Sequence, residues 1–262
     1  MVIHTRLSAV LLGASALMAF SGAASAATAV ALVGDKTLVI LDTETRAAGA
    51  SVEVSGVDRL LGIDVRPGDG LLYGVAADGA IVTIDPATGT ATPKSKLSET
   101  LPDGVSASVD FNPVADRIRI VGSDGTNLRA NVDDGKVTVD GKLNFDPADA
   151  NAAGTSSVVA VAYTNSVGKP EKTAMYDIDS KLGLLQQTTP NDGVLATRGA
   201  LGVTAETYAF DISSTADLAN TAWLVAGPTL YTVDLETGAA EAKGEITGID
   251  GAVRDIAVMP AI

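Results

Sequence analysis

Two short stretches carry most of the chemistry in this chain. Arg117-Ile-Arg119-Ile-Val121 and Asn127-Leu-Arg129-Ala-Asn131 alternate polar and apolar residues. That is the period of a β-strand, so Arg117 and Arg119 share one strand face, and Asn127, Arg129 and Asn131 share another. Paired, the two strands gather three guanidinium groups on one surface. Guanidinium forks fit carboxylate and phosphate geometry, which makes the cluster a candidate site for a small anion such as a carboxylate, a phosphate or a sugar acid. If that surface is covered instead, each arginine needs a carboxylate or carbonyl partner, because an unpaired buried charge is costly. Asp110, Asp116 and Asp177 are the acids expected to serve.

Other polar residues are more scattered. Asp64, Asp110 and Asp211 close short apolar runs, where an aspartate commonly caps a turn. Brought together, they could bind a hard cation such as Ca²⁺ through oxygen. Asp146-Pro-Ala-Asp149-Ala-Asn151 is oxygen-rich but lacks EF-hand spacing and reads as a surface loop. Tyr163 and Asn165, in Tyr163-Thr164-Asn165, and Asp192, in the turn Pro190-Asn191-Asp192-Gly193, complete the ligand-binding candidates drawn from composition and position.

Several classes are closed. The chain has no cysteine, and its only histidine is His4. Beyond that residue no Ser-His-Asp or Cys-His system can form, and the usual zinc, copper, haem and iron–sulfur ligands are missing. The net charge is -14, so phosphate backbones and anionic lipid surfaces should repel the protein. Neither a nucleic-acid partner nor a membrane span is expected, no cofactor beyond a possible Ca²⁺ is implied, and the protein is expected to be a monomer.

The elements that position these residues read as all-β. Short alternating runs such as 71–76, 80–85, 117–121, 127–132 and 229–234 are separated by Gly, Pro, Asp and Asn. Shifted by 46 positions, residues 64–91 fall on 110–137 without a gap. Asp64 meets Asp110, Pro67 meets Pro113, and Asp78-Gly79 meets Asp124-Gly125. A strand-and-turn unit, Ile84-Asp-Pro-Ala-Thr-Gly89, returns as Val233-Asp-Leu-Glu-Thr-Gly238. Strands that open each unit recur around residues 64, 110, 162, 211 and 257. A repeat of this length built from about four strands marks a β-propeller blade. The expectation is five four-stranded blades, the last opening strand (255–259) pairing near Ala29–Val33 so that the two ends of the chain close the ring.

Met1–Arg6 is weakly positive, Leu7–Phe20 is apolar, and small residues end at Ala24-Ser25-Ala26. That order is expected of a secretory signal peptide cleaved after Ala26, leaving residues 27–262 as one domain, periplasmic or secreted.

The chain resembles a bacterial family of secreted proteins, domain of unknown function 4394. The likeness rests on Leu61-Gly-Ile-Asp-Val-Arg-Pro67, Leu72-Tyr-Gly74, Asp110-Phe-Asn112-Pro113 with Asp116-Arg-Ile-Arg119, Asn127-Leu-Arg129, Ala162-Tyr-Thr-Asn165, Tyr176-Asp-Ile-Asp179 and Pro190-Asn-Asp-Gly193. It implies a propeller and an exported protein, and it implies no activity. Asn112 joins the ligand-binding candidates through these motifs. Gly183-Leu184 stands where the family pattern leads one to expect an acid, which argues against calcium near Asp177 and Asp179. Two functions are expected to compete. One is a non-catalytic module binding a protein or small anion. The other is a carboxylate-based, Ca-dependent hydrolase or lyase with an axial site, which requires two acids with opposed pKa shifts in one pocket.

Overall fold

The computed structural model describes residues 27–260, so the expected leader at 1–26 lies outside the described residues. The strands are β1 (Thr28–Val33), β2 (Thr37–Asp42), β3 (Ala48–Glu53), β4 (Leu60–Val65), β5 (Leu72–Ala76), β6 (Ala80–Asp85), β7 (Thr90–Lys96), β8 (Ala107–Asn112), β9 (Arg117–Gly122), β10 (Asn127–Ala130) and β11 (Val137–Val139). They continue as β12 (Asn144–Phe145), β13 (Val158–Tyr163), β14 (Met175–Asp179), β15 (Gly183–Thr189), β16 (Val194–Gly199), β17 (Tyr208–Ser214), β18 (Asn220–Ala226), β19 (Thr229–Val233), β20 (Ala240–Glu245) and β21 (Val253–Val258).

These strands form five separate sheets. The second blade is β4–β7, the third β8–β11, the fourth β13–β16 and the fifth β17–β20. The first combines both ends of the chain: β21 pairs antiparallel with β1, and β2 and β3 follow outward. The innermost strands β4, β8, β13, β17 and β21 neighbour one another in a closed cycle, which makes the molecule a five-bladed propeller.

One blade departs from the expected four strands. The two-residue β12 adds to the outer edge of the fourth sheet in parallel with β16, Asn144 opposite Val194 and Phe145 opposite Leu195. The long connection after β11 thereby covers an edge that would otherwise stand open.

Inner and middle strands are apolar on both faces because each blade packs against two others. β4 and β5 are buried along their whole length, whereas the outer β3 and β7 are mostly exposed. The core is therefore divided into seams between blades. Val30, Leu32, Leu60 and Ile63 fill the first, and Tyr73, Ile81, Phe111 and Ile118 fill the second. Burial of each such side chain contributes roughly 1.5–3 kcal/mol before chain entropy is charged against it. The seam between the third and fourth blades is built differently. In its apolar cluster Val121 is the only buried residue from the third blade, the others, among them Phe145, Val161, Tyr163 and Leu185, coming from the fourth.

Polar staples on the innermost strands link blades around the axis. Asp64 accepts from the Phe111 amide at 2.7 Å, Asp110 from Tyr163 at 2.9 Å, Asp211 from Val258 at 2.5 Å, and Asp255 from Ile63 at 2.9 Å. Asp64 and Asp211 also accept from the next amide of their own strand. Asp64, Asp110 and Asp211 are expected from the sequence to cap turns; each, like Asp255, instead ties its blade to a neighbour, because the opening strands lie side by side at the centre. Ala162 holds the equivalent place in the fourth blade and cannot reach the fifth. Asn165 and Asn220 bridge that seam instead, with an exchange of two hydrogen bonds at 2.8 and 2.9 Å.

Candidate ligand-binding site

The repeat places Arg119 where the second blade has Tyr73, and Arg129 where it has Thr83. The register agrees: Tyr73 lies opposite Asp64 and Thr83, and Arg119 lies opposite Asp110 and Arg129. Two cations directly across a ladder repel each other. Asp140, from the connection between β11 and β12, resolves the conflict. Its Oδ2 accepts from Arg119 Nη1 and from Arg129 Nε, both at 2.9 Å, while its Oδ1 accepts from Arg129 Nη2 at 3.0 Å.

Asp140 thus takes the role expected of Asp110, Asp116 or Asp177. Asp110 is committed to the axial staple. Asp116 grips Arg66 with both oxygens at 2.7 and 2.6 Å, in a network with Asp69, Tyr73 and Asp133 that ties the second blade to the third. Asp177 accepts from Gln187.

Arg119 is 1% exposed and reaches across the seam into the fourth blade. Its Nε donates to the Tyr163 hydroxyl at 2.7 Å, Nη1 to Asn127 Oδ1 at 2.6 Å, and Nη2 to Asn191 Oδ1 at 2.9 Å. Asn127 in turn donates to the carbonyls of Gly141 and Pro190. One buried guanidinium therefore fixes the end of β13 and the Pro190–Gly193 turn relative to the third blade. Arg117 takes no part, donating to the nearby carbonyls of Ala115 and Asp116.

Beside this network lies a cavity of about 390 Å³. Asn112, Tyr163, Gln187, Thr189, Asn191 and Asp192 are the polar residues of its wall that matter here. Of the sequence candidates, Asn112, Tyr163 and Asp192 meet at this wall. Arg119, Asn127 and Arg129 form the network beside it, Asp110 faces the axis, and Asn165 belongs to the seam with the fifth blade. Burial pushes the Tyr163 phenol pKa up, so the wall keeps a neutral hydroxyl there.

Gln187 was not singled out by the sequence. It is 2% exposed, and its amide nitrogen donates to both oxygens of Asp177 at 3.2 and 3.0 Å. Its own carbonyl oxygen is buried with no hydrogen-bond partner among the described residues. Burial lifts the Asp177 carboxyl to about 7, against lowering by the Gln187 amide and the more distant charge of Arg119.

The axial aspartates form a second cluster. Asp64, Asp110 and Asp211 each offer a carboxylate oxygen within 4.8 Å of the others, a spacing at which a hard cation could be held. Burial, first, and then mutual repulsion push Asp64 and Asp110 well above the usual carboxylate range; burial brings Asp211 to about 6 and raises Asp255 strongly. All four shift the same way, unlike the opposed pair a carboxylate hydrolase needs. In the 146–151 loop, Asp149 spends both oxygens on Thr197 and the Asn151 amide.

The closed ring of five sheets and the apolar seams between them define a small five-bladed β-propeller. No curated protein is detectably similar to the chain. The chain belongs to the family described as Domain of unknown function (DUF4394), whose model matches residues 37–257. A protein of unknown function from Bacteroides thetaiotaomicron VPI-5482 is similar in structure, with a TM-score of 0.53 and 15% identity over 92% of this chain and 68% of that one. Another from Bacteroides caccae gives a TM-score of 0.44 at 12% identity, covering 82% and 72%. At these identities the likeness to the first speaks to the fold alone.

Proposed function

We propose that this protein is an exported, non-catalytic binding module whose site is the cavity at the seam of the third and fourth blades. The observation that carries the reading is the preformed polar wall: Asn112, Tyr163, Asn191 and Asp192, drawn from two blades, surround a cavity held in shape by a buried arginine. Pockets with few, fixed polar groups are the usual form of small-molecule sites, and this volume lies at the lower end of their range of about 300–1,000 Å³. Asp140 pairs with both arginines and offsets their charge in part, and the wall itself presents neutral hydrogen-bonding groups and no lysine or arginine, so it favours a ligand recognised by hydrogen bonding. Export is supported by the order of charge, apolar run and small residues over 1–26.

Thermal unfolding of the purified protein against a panel of small polar compounds tests the reading. A ligand present at 100 times its Kd adds about 2.7 kcal/mol, which corresponds to a rise of several degrees in a domain of this size. The same ligand should have no effect on Thr189→Trp, which fills the cavity from its exposed side. A shift that survives Thr189→Trp places binding elsewhere. No shift with any compound turns the search to protein partners.

A further inference from the structure

Given the reading above that the cavity is a binding site, its wall specifies the kind of small molecule that fits. Three of the groups lining it are donors whose orientation the protein fixes from behind. Asn191 Oδ1 accepts from Arg119 Nη2 at 2.9 Å, which turns both amide N–H groups the other way. Asn112 Oδ1 accepts from the Val114 and Ala115 amides at 3.0 and 2.9 Å, so its nitrogen is turned toward the Tyr163 hydroxyl with an N–H to spare. Tyr163 accepts from Arg119 Nε at 2.7 Å, and its own proton goes to no acceptor among the described residues.

Asp192 supplies the complementary half. It follows Asn191 directly in the turn and lines the same cavity. Its backbone oxygen accepts from Asn144, while its carboxylate accepts from nothing among the described residues. Thr189 adds a hydroxyl to the same wall. Donor and acceptor thus stand side by side on consecutive residues. A hydroxyl group both donates and accepts, so a pair of neighbouring hydroxyls uses both kinds of partner at once. A carboxylate ligand would meet Asp192 with like charge, and an ammonium would leave three donors with nothing to accept them. Charge balance favours the same ligand. Arg119 and Arg129 share Asp140, which leaves one positive charge, and Asp192 in the turn that Arg119 holds brings a second negative one. Asp177 is sealed behind Gln187.

We propose that the cavity binds a neutral polyhydroxylated ligand of the size of one sugar ring, its adjacent hydroxyls accepting from Asn112, Asn191 and Tyr163 and donating to Asp192 and Thr189. The volume of about 390 Å³ suits a single ring rather than an oligosaccharide. Ala174 and Pro190 offer an apolar surface to its C–H face.

Saturation-transfer NMR titrations with glucose, galactose, mannose and xylose, and with glucuronate and glucosamine as charged counterparts, test the assignment. They are run at pH 6, below the value of about 7 at which Asp177 ionises. Melting is not the readout, because sugars at high concentration stabilise proteins by exclusion from the surface. At least one neutral sugar should bind saturably, and neither charged counterpart should bind more tightly. Asp192→Ala changes an exposed side chain and should weaken that sugar by about tenfold, the loss of one charge-assisted hydrogen bond. Thr189→Trp should abolish binding. A charged counterpart that binds best to the parent and not to Thr189→Trp would keep the cavity as a site and overturn the neutral assignment. Sugar binding that survives Thr189→Trp, or that Asp192→Ala leaves unchanged, would overturn it too. If no sugar binds, the sugar assignment falls, while the cavity reading is decided by the wider compound panel.

Discussion

Asp177 offers the sharpest test of the electrostatics, because its burial is complete and its isostere is neutral. The carboxyl titrates near 7 in the folded protein against an ordinary value of 3.8. A folded pKa above the unfolded one means that the native state holds the proton more tightly, so stability falls as pH rises between those values. Below about pH 4 both states are protonated and the group contributes nothing to the pH dependence. Between 4 and 7 the unfolded chain ionises first, and above 7 the folded protein carries the full cost of a buried charge. The difference between about 7 and 3.8 corresponds to about 4 kcal/mol. Asp177→Asn removes that cost while its carbonyl oxygen remains an acceptor for the Gln187 amide. The variant should therefore melt several degrees above the parent at pH 8, at about 2–4 °C per kcal/mol for a domain of this size, and gain much less at pH 5. The axial aspartates titrate in the same direction and lower the stability of both proteins alike, so the quantity to measure is the difference between variant and parent at each pH. Urea unfolding followed by circular dichroism supplies it. An advantage that is the same at pH 5 and pH 8 would refute the assignment of a costly ionisation to Asp177.

Three other outcomes follow from the seams. Arg119→Met leaves Asp140 without its buried partner and Tyr163, Asn127 and Asn191 without a donor, so it should cost roughly 3–5 kcal/mol in urea unfolding, whereas Arg129→Met, at a partly exposed position, should cost much less; equal losses would contradict the hierarchy drawn here. Gly141→Ala would place a Cβ 2.4 Å from the Asp192 carbonyl oxygen, so the Pro190–Gly193 turn must move; hydrogen exchange at the Asn144 and Gly141 amides, which donate to Gly193 and Asn191, should quicken while exchange in β4 and β5 stays unchanged. Ending the chain before Val253 removes β21 and the Asp255 staple, exposing both β1 and the second blade; the truncated protein should lose its cooperative melt, and a retained sharp transition would show that the ring does not depend on closure.

The repeat made the architecture readable because blades reuse the same contacts. The gapless shift that sets Asp64, Tyr73 and Thr83 over Asp110, Arg119 and Arg129 also predicts their cross-strand pairing, and the pairing is observed in both blades. Chain closure was readable for the same reason: a final opening strand with no blade of its own needs β1. Legibility ended where the repeat ends. Asp140 lies in the irregular stretch after β11, outside any periodic pattern, so nothing in its neighbourhood connected it to two arginines. β12 is two residues long and pairs in parallel, too short to impose a pattern. Gln187 follows Gln186 in a strand, GLLQQTT, whose residues do not alternate, and only the fold shows that one amide meets Arg198 and the other Asp177. Arg66 reads as the residue before a proline, although it joins four polar side chains, Asp69 and Tyr73 of its own blade and Asp116 and Asp133 across the seam.

Why the seam between the third and fourth blades should hold a fully buried guanidinium, where the preceding seam packs Tyr73 against Phe111, is a question of energetics. Tyr73 packs edge-on against Phe111 at 5.3 Å between centroids, and a tyrosine at position 119 would extend the same packing toward Val121 and Tyr163. Stability alone does not favour the arginine, since a buried ion pair is often no better than a well-packed apolar replacement. What the arginine does that a tyrosine cannot is direct five donors along fixed lines. From Nε, Nη1 and Nη2 they reach Tyr163, Asn127, Asp140, Pro190 and Asn191, and three of these, Tyr163, Pro190 and Asn191, form the cavity wall together with Asp192 of the same turn. The third blade gives up apolar contact at this seam, with Val121 its one buried member of the cluster, and gains a rigid polar wall. A seam arranged for stability would have been apolar; a seam arranged to hold a cavity open at fixed geometry needs the directional network that Arg119 supplies.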